Sequence, residues 1–370
     1  MSDSFYILAI NPGSTSNKIA LFLNEDKVFE HTIRHDLDEI APFKTIWDQY
    51  DFRKKLILEN FKSHQQATKK LDAVVGRGGL LKPIISGTYE VNDEMVQDAR
   101  SNYQGEHASN LGCVLAKDIA AEYQCRAFIV DPPSTCEFQR LSFYSGHPHV
   151  PKRPIAHALN IHATARKAAK DLGIAYDKAR FVVAHLGGGI TVASVVGGRM
   201  IDNNDATCEG PFTPERTGGM PLHPFAELCF SGKYTLREIK KMVMGEGGFV
   251  AYMGTNSAIK VEEAAKKGDR NAEDLYQAMV YQVSKEIGAQ TTVLEGNLDA
   301  IVLTGGLAYS DYFVNSITPR IRHLGKIVRY PGEEELEALA KGALRVLKKE
   351  EQALVYPQLG EGPPTWFIKQ

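Results

Sequence analysis

Cysteine is scarce in this sequence. Only 5 of the 370 residues are cysteine, and no two of them form a Cys-x-x-Cys pair. Their odd number and wide spacing argue against a disulfide framework and against a structural zinc site. We therefore expect a cytoplasmic location, with reduced thiols at Cys113, Cys125, Cys136, Cys208 and Cys229.

Strong net charge and long apolar runs are also missing. The 43 lysines and arginines nearly balance the 45 aspartates and glutamates, which leaves a formal net charge of -2 at pH 7. Without a basic block there is no general field for nucleic acid or for an anionic membrane. No apolar run approaches membrane-spanning length, and Met1-Ser-Asp-Ser4 lacks the basic start and apolar centre of a signal peptide. We expect a soluble protein with neither nucleic acid nor membrane as a partner.

The length predicts two domains, because a single core seldom grows this large. The hydrophobic content of 43% is enough for two cores. Residues 137–154 are rich in proline and histidine, a composition typical of a connection. We place the first domain at 1–153 and the second at 154–349. The tail 350–370, which contains the apolar run Trp366-Phe367-Ile368, is expected to dock on the first domain.

The first notable motif lies near the N-terminus. Two short apolar runs, residues 5–10 and 19–23, flank the segment Asn11-Pro-Gly-Ser-Thr-Ser-Asn-Lys18. This pattern predicts a β-hairpin whose turn is crowded with hydrogen-bond donors. Gly13 permits close backbone approach, the hydroxyls of Ser14 and Ser16 can donate to phosphate oxygens, and Lys18 adds positive charge. A turn that binds nothing uses the same residue types, so this segment alone leaves both interpretations open.

The same pattern returns about half a chain later. Residues 181–184 and 190–196 are apolar runs on either side of His185-Leu-Gly-Gly-Gly189, and a buried run at 300–303 ends in Thr304-Gly305-Gly306. Helical patterns separate these runs. The repeat predicts an α/β fold of two duplicated domains whose hairpin turns face each other across a cleft and hold one polyphosphate.

Three charged residues lie in or beside predicted loops. Asp131 follows the strand at 127–130 and Arg77 follows the strand at 73–76, at the carboxyl ends where open α/β sheets bind ligands. Arg216 lies in a loop flanked by glycine and proline. An aspartate before proline also ends ordinary strands, and a lone loop arginine is usually solvated, so the residues alone leave both interpretations open.

An ordered set of motifs resembles the acetokinase family. Asn11-Pro-Gly-Ser-Thr-Ser-Asn-Lys18 is similar to its first phosphate loop, His185-Leu-Gly-Gly-Gly-Ile-Thr191 to its second, and Leu303-Thr-Gly-Gly306 to its adenosine loop. Within the family, the segments Asp131-Pro-Pro-Ser and Arg153-Pro-Ile-Ala-His157 look most like butyrate kinases. So does Gly210-Pro-Phe-Thr-Pro-Glu-Arg216-Thr-Gly-Gly.

This resemblance implies a fold and a reaction. The fold is that of the actin, sugar-kinase and Hsp70 superfamily, two actin-like (ribonuclease H-like) domains with the nucleotide between them. The reaction is reversible transfer of a phosphoryl group between ATP and butyrate, giving butyryl phosphate and ADP, with Mg²⁺. A homo-oligomer, at least a dimer, is expected.

The resemblance also implies roles for individual residues. The catalytic residues would be Arg77, Asp131, His157 and Arg216. The phosphate and nucleotide ligands would be Asn11, Ser14, Ser16, Lys18, His185, Gly187, Gly188, Gly189, Gly305 and Gly306. Asp131 and Glu334 would meet the metal, with Glu335 the next choice. The acidic run at 333–335 is also explained by the dipole of the helix that follows it.

Three positions depart from the family pattern. An aromatic residue is expected before His157, and Ala156 stands there instead, which would leave space for a longer acyl chain. Ala258 and Lys260 replace the adenine-contacting aspartate and arginine, so the adenine contacts are open.

Three alternatives stay open. The first is an acetate or propionate kinase of the same family. The second is a sugar kinase that uses Asp131 as its base. The third is a non-enzymatic protein, an Hsp70-like or actin-like nucleotide switch that uses ATP to drive a partner.

Overall fold

The computed structural model describes residues 4–64 and 70–359. It contains two mixed β-sheets, each covered by helices. The apolar tail segment at 366–368 therefore lies outside the described residues. The strands are β1 Tyr6–Pro12, β2 Ser16–Leu23, β3 Asp26–Arg34, β4 Ala73–Arg77, β5 Thr88–Glu90, β6 Arg126–Val130, β7 Arg180–Leu186, β8 Ile190–Val196, β9 Arg199–Asn203, β10 Ala300–Gly305, β11 Ile327–Pro331 and β12 Leu354–Val355.

The helices connect and cover these strands. They are α1 Leu37–Ile40, α2 Tyr50–Ser63, α3 Asp93–Arg100, α4 Leu111–Glu122, α5 Ala158–Leu172, α6 Leu222–Cys229, α7 Leu236–Val243, α8 Gly248–Met253, α9 Ala258–Lys266, α10 Arg270–Val293, α11 Asp311–Ile321 and α12 Glu335–Leu347. None of these helices is both long enough and apolar enough to cross a membrane.

The two sheets repeat one strand order. The first sheet runs β12-β5-β6-β4-β1-β2-β3 and the second β11-β10-β7-β8-β9. In each, an antiparallel three-stranded meander, β1–β3 or β7–β9, is extended on its first strand by two parallel strands. The prediction of a duplicated α/β fold is confirmed.

The central strands of each sheet are buried on both faces. Adjacent residues of β1, Leu8 and Ala9, point to opposite faces and neither is exposed to solvent. Leu8 clusters with the apolar stripe of α4, and α12 contacts the same strands β1, β4 and β6. In the second sheet, Val182 packs with α10 and Val183 with α5. The strand ends, with their loops, are therefore fixed by packing on two sides.

The chain divides into two compact units. One unit runs to Glu137 and resumes at Glu334, and the other spans Phe138–Glu333. The sequence placed the division at 153/154 and assigned residues up to 349 to the second domain. The structure differs because α12 packs on the first sheet, and its Gly342 approaches Val130 so closely that a Cβ would lie 2.6 Å from that side chain.

Several short elements escaped prediction. The strands β5, β9 and β12 have two to five residues, too few to show a period. Trp47–Gln49 form a short 3₁₀ turn immediately before α2. Tyr356, next to β12, stacks edge-on against Tyr89 in the first unit.

Candidate functional site

The first glycine-containing turn joins β1 and β2 in the first unit. Asn11 and Lys18 lie opposite each other in the antiparallel register, and the turn closes with a 2.7 Å hydrogen bond from the Gly13 N–H to the Ser16 carbonyl. Asn11 is buried, whereas Ser14 and Lys18 are exposed. The predicted hairpin is thus present, with its polar side chains on an accessible turn.

Arg53 of α2 holds the backbone of this turn by hydrogen bonds. It is not among the site residues predicted from the sequence. Its guanidinium donates to the carbonyls of Gly13 and Ser14, both at 2.8 Å, and to that of Ser16 at 3.2 Å. The side chain is fully buried. A sequence signal existed, because Arg53, Ile57 and Phe61 are the buried residues of α2 and share its apolar stripe.

Arg77 and Asn11 meet at one carboxylate of the first unit. Arg77 ends β4, and its Nη1 donates to Oε1 of Glu335, while the Asn11 amide donates to Oε2 of the same side chain. Glu335, the first residue of α12, is therefore engaged by Arg77 and Asn11, whereas the family pattern favoured Glu334 for the metal. Glu334 is exposed. The Nε of Arg77 is buried and has no hydrogen-bond partner among the described residues.

Asp131 lies at the carboxyl end of β6, as the sequence indicated. It is buried, its φ of 39° is in the left-handed region that aspartate tolerates, and its Oδ1 accepts a 2.7 Å hydrogen bond from the Gly87 N–H. This bond ties the carboxylate to the loop before β5.

The second glycine turn, between β7 and β8 of the second unit, lies against two histidines. The rings of His157 and His185 stack with centroids 4.0 Å apart and an interplanar angle of 13°. Nδ1 of His157 is 2.8 Å from the Thr191 hydroxyl, and Nδ1 of His185 is 2.8 Å from the Asn160 amide oxygen. Their ring planes are thereby fixed. The Nε2 of His185 is 3.2 Å from Oε1 of Glu333.

Arg216 completes this cluster. A Cβ on Gly189 would lie 2.4 Å from Nη1 of Arg216 and 2.9 Å from Cε1 of His157, so both side chains press against the glycine. Nη1 donates to the Ala206 carbonyl at 2.7 Å, and Nε is buried without a partner among the described residues. Burial lowers the pKa of Arg216. We name His157, His185, Gly189 and Arg216 the histidine–arginine cluster.

The loop that holds Arg216 is itself anchored. Ala206 follows Asp205, a buried carboxylate that pairs with Arg153 at 2.7 Å and accepts from the Thr207 N–H at 2.8 Å. The Ala206 N–H donates to the Ile155 carbonyl at 2.9 Å. Arg153 of the segment 153–157 thus contributes to the position of Arg216.

A methyl group at Gly189 is expected to disrupt the histidine–arginine cluster. In Gly189→Ala the added carbon overlaps Arg216, and a shift of about 1 Å at a reacting group can cost about 10²-fold in rate. Gly188→Ala is the matched comparison, because its Cβ meets only Glu215, at 3.5 Å. The measurement is the steady-state kcat of both variants for the phosphoryl transfer that the family resemblance implies. A loss at Gly188→Ala as large as at Gly189→Ala would contradict the steric argument.

The third glycine turn follows β10. Gly305 has a φ of 87°, and it exchanges backbone hydrogen bonds of 3.2 and 3.0 Å with Gly332. A Cβ on Gly305 would lie 2.5 Å from the Leu186 carbonyl, so this turn packs directly on the second one. Gly306 is exposed and begins a short 3₁₀ turn. Ala258 and Lys260 lie in the first turn of α9, where Lys260 is exposed.

The carboxylates do not form a dedicated metal cage. Over residues 4–64 and 70–359, no group of three or more histidine, cysteine, aspartate or glutamate side chains is arranged to hold a metal ion. Mg²⁺ commonly uses one or two carboxylates together with waters and substrate phosphates. The lack of such a cage among the described residues is compatible with an ion held mainly by waters and substrate phosphates.

Known structures share this fold. Acetate kinase from Porphyromonas gingivalis matches with a TM-score of 0.76 and 18% identity, over 92% of this chain and 99% of that one. A propionate kinase from Francisella tularensis subsp. tularensis SCHU S4 matches with a TM-score of 0.72 and 20% identity, over 91% and 98%. Acetate kinase from Entamoeba histolytica matches with a TM-score of 0.73 and 15% identity, over 91% and 98%.

The sequence itself matches over the second unit. The model of the acetokinase family covers residues 149–330, a segment that contains the histidine–arginine cluster and the glycine turns at 187–189 and 305–306. Residues 149–330 are therefore similar to the acetokinase family, and the chain shares its fold with an acetate kinase and a propionate kinase.

Proposed function

We propose that the chain is a carboxylate kinase that transfers the γ-phosphoryl group of ATP to a short-chain carboxylate and gives an acyl phosphate and ADP. The observation that carries this proposal is the histidine–arginine cluster at the turn 187–189. A half-buried guanidinium and two oriented imidazoles at a glycine turn suit a transferring phosphoryl group, on which negative charge must be neutralised.

The acceptor explains why arginines matter more than a base. A carboxylic acid with a pKa near that of glutamate, about 4.3, is already ionised at pH 7, so its attack needs no proton removal. One carboxylate oxygen bonds to the γ-phosphorus as the bond to the β,γ-bridging oxygen breaks, and ADP leaves with that oxygen. The reacting anions repel each other, and guanidinium groups at Arg77 and Arg216 would reduce that repulsion.

The other roles follow the same chemistry. We propose that Asn11, Ser14, Ser16 and Lys18 bind the γ-phosphate, and that His157 donates a hydrogen bond to the group in transfer. His185 with Gly187, Gly188 and Gly189 would bind phosphate in the second unit, and Gly305 with Gly306 would bind the adenosine.

Magnesium belongs to this proposal. The ion would neutralise phosphate charge, and its protein ligands would be Asp131 and a carboxylate of the acidic run. Glu334, the sequence choice, is exposed and therefore accessible to a nucleotide-bound ion, whereas Glu335 is engaged by Asn11 and Arg77. We therefore propose Asp131 and Glu334 as ligands and assign Glu335 to Arg77.

Butyrate is our proposed preferred acceptor, and acetate or propionate is the alternative. The butyrate kinase-like segments support the longer chain. Ala156 supports it less directly than the sequence indicated, because its side chain is buried within the α5 side of the second core, beside Ala158 and Ile161. One methylene changes specificity by only about 1–3 kcal/mol, so several short acids are expected to react.

We also propose a reducing compartment and self-association. None of the five cysteines forms a disulfide bond, which suits the cytoplasm. The surface around α6 and α7 exposes large apolar side chains, with Phe230 at 92%, Leu222 at 81% and Leu236 at 70% exposure. Burying such side chains against a second copy is favourable. Light scattering during size-exclusion chromatography tests whether the protein is at least a dimer.

A hydroxamate assay tests the proposed function. Acyl phosphates react with hydroxylamine, so acyl hydroxamate should form from ATP, Mg²⁺ and acetate, propionate or butyrate in separate reactions. We expect product with all three and the highest kcat/KM with butyrate. A preference for acetate would contradict the proposed acyl chain while leaving the carboxylate kinase proposal standing.

A further inference from the structure

We propose that Arg53 is a positioning residue of the first phosphate loop, and that phosphate bound on the loop is the counterion of its buried charge. The inference rests on the proposed function and extends it to a residue below the loop. By "first phosphate loop" we mean residues 11–18, the segment that contains the turn between β1 and β2.

The contacts of Arg53 are concentrated on this loop. Nη2 donates to the Ser14 carbonyl at 2.8 Å, while Nη1 donates to the Gly13 and Ser16 carbonyls and, at 2.9 Å, to the Asn17 amide oxygen. Nε donates to the Gln49 amide oxygen at 2.9 Å. One rigid guanidinium thus fixes three peptide groups in four consecutive residues, which a flexible ammonium could not do.

The orientation of these carbonyls determines what the loop presents to solvent. In a trans peptide the C=O and the following N–H point in opposite directions. Because the Gly13 and Ser14 carbonyls point to Arg53, the N–H groups of Ser14 and Thr15 point away from it. Neither N–H donates a hydrogen bond within the described residues, and both residues are exposed. Successive free N–H groups of this kind form an anion-binding concavity.

The charge of Arg53 has no acidic partner. All its hydrogen-bond acceptors are neutral amide oxygens, and over residues 4–64 and 70–359 no carboxylate pairs with it. The neighbouring titratable group is His35, which contacts Asn17 and whose pKa is lowered by burial and by Arg53. Burial lowers the pKa of Arg53 to about 10, so it stays protonated at neutral pH.

A buried, unpaired cation is costly to fold, and such groups are usually paired. Here an anion on the far side of the loop would supply the missing charge, through peptide dipoles already aligned toward it. Lys18 adds a second positive charge on the accessible side, so the loop would be held between two cations when phosphate binds.

The test compares the affinities of ATP and ADP in Arg53→Met, Arg53→Lys and a control. Only ATP carries the γ-phosphate assigned to this loop, so Arg53→Met should weaken ATP binding about 10-fold more than ADP binding. Arg53→Lys keeps the charge but not the fork, and its ATP-to-ADP affinity ratio should lie between those of the wild type and Arg53→Met. Lys55→Met, an exposed neighbour on α2, should keep the wild-type ratio.

Calorimetric titration of the full chain, with circular dichroism to verify folding, provides the measurement. A folded Arg53→Met with the wild-type affinity ratio would overturn the inference, since a residue that only stabilises the fold has no reason to distinguish the two nucleotides. If Arg53→Met does not fold, the same comparison is made with Arg53→Lys, and a wild-type ATP-to-ADP affinity ratio in that variant would overturn the inference. A wild-type protein that binds neither nucleotide would overturn the proposed function itself, which is a different result.

Discussion

Replacing Arg216 with alanine is expected to lower kcat by about 10³-fold or more, because an arginine at a transferring phosphoryl group contributes rate factors of that size. Arg216 is held for such a role. Its Nη1 is anchored on the Ala206 carbonyl, its Nε is buried without a partner among the described residues, and its guanidinium lies close against Gly189.

Two further variants isolate the guanidinium. Arg216→Lys keeps a positive charge but loses the planar fork, so kcat should recover only in part. Arg199→Ala removes an exposed arginine from β9 in the same unit and should behave as the wild type. The measurement is kcat from ADP release, with folding verified by circular dichroism. Wild-type kcat in a folded Arg216→Ala protein would refute the role of Arg216 in transfer.

Arg77→Ala is expected to lower kcat by about 10²- to 10³-fold, the cost of removing one aligned donor from an electrostatic site. The guanidinium of Arg77 is held in place by a neighbouring carboxylate. Glu335 fixes one end of its guanidinium, while Nε is left buried and unsatisfied among the described residues. Glu335→Gln should give a smaller loss, because a neutral amide can still accept the hydrogen bond but no longer orients it by charge.

Arg126 offers the matched control for this pair. It lies in the same unit and pairs with Glu90 at 3.0 Å, with side chains 42% and 50% exposed, and such surface pairs contribute little. Arg126→Ala should therefore keep wild-type kinetics. Measured kcat and carboxylate KM for the three variants form one comparison. Equal kinetics in Arg77→Ala and Arg126→Ala would remove Arg77 from the proposed mechanism.

Local sequence patterns predicted much of the fold. The glycine turns at 13 and 187–189 lie between short apolar runs, and both form hairpins between antiparallel strands. Their repetition predicted the duplication, which the shared strand order confirms. Each hairpin is determined by residues that are close together in the sequence, so it can be predicted from the sequence alone.

Long-range contacts were beyond such patterns. Glu335 reaches Arg77 across 258 positions of sequence, and which glutamate of the acidic run does so depends on where α12 begins. The boundary between the units differs from the one predicted from composition for the same reason. Helix α12 packs on the first sheet, a long-range contact that composition does not reveal. Arg53 stands in a charged helix, where its burial becomes visible only through its spacing from Ile57 and Phe61.

The formation of acyl phosphate is the measurement that tests the central claim most directly. Purified protein is incubated with ATP, Mg²⁺ and hydroxylamine, with acetate, propionate, butyrate or no acid, and both acyl hydroxamate and ADP are quantified. The account predicts hydroxamate in amounts equal to the acid-dependent ADP, and little ADP without acid. ADP release that no carboxylate changes, with no hydroxamate from any of them, would contradict the account and favour a nucleotide switch.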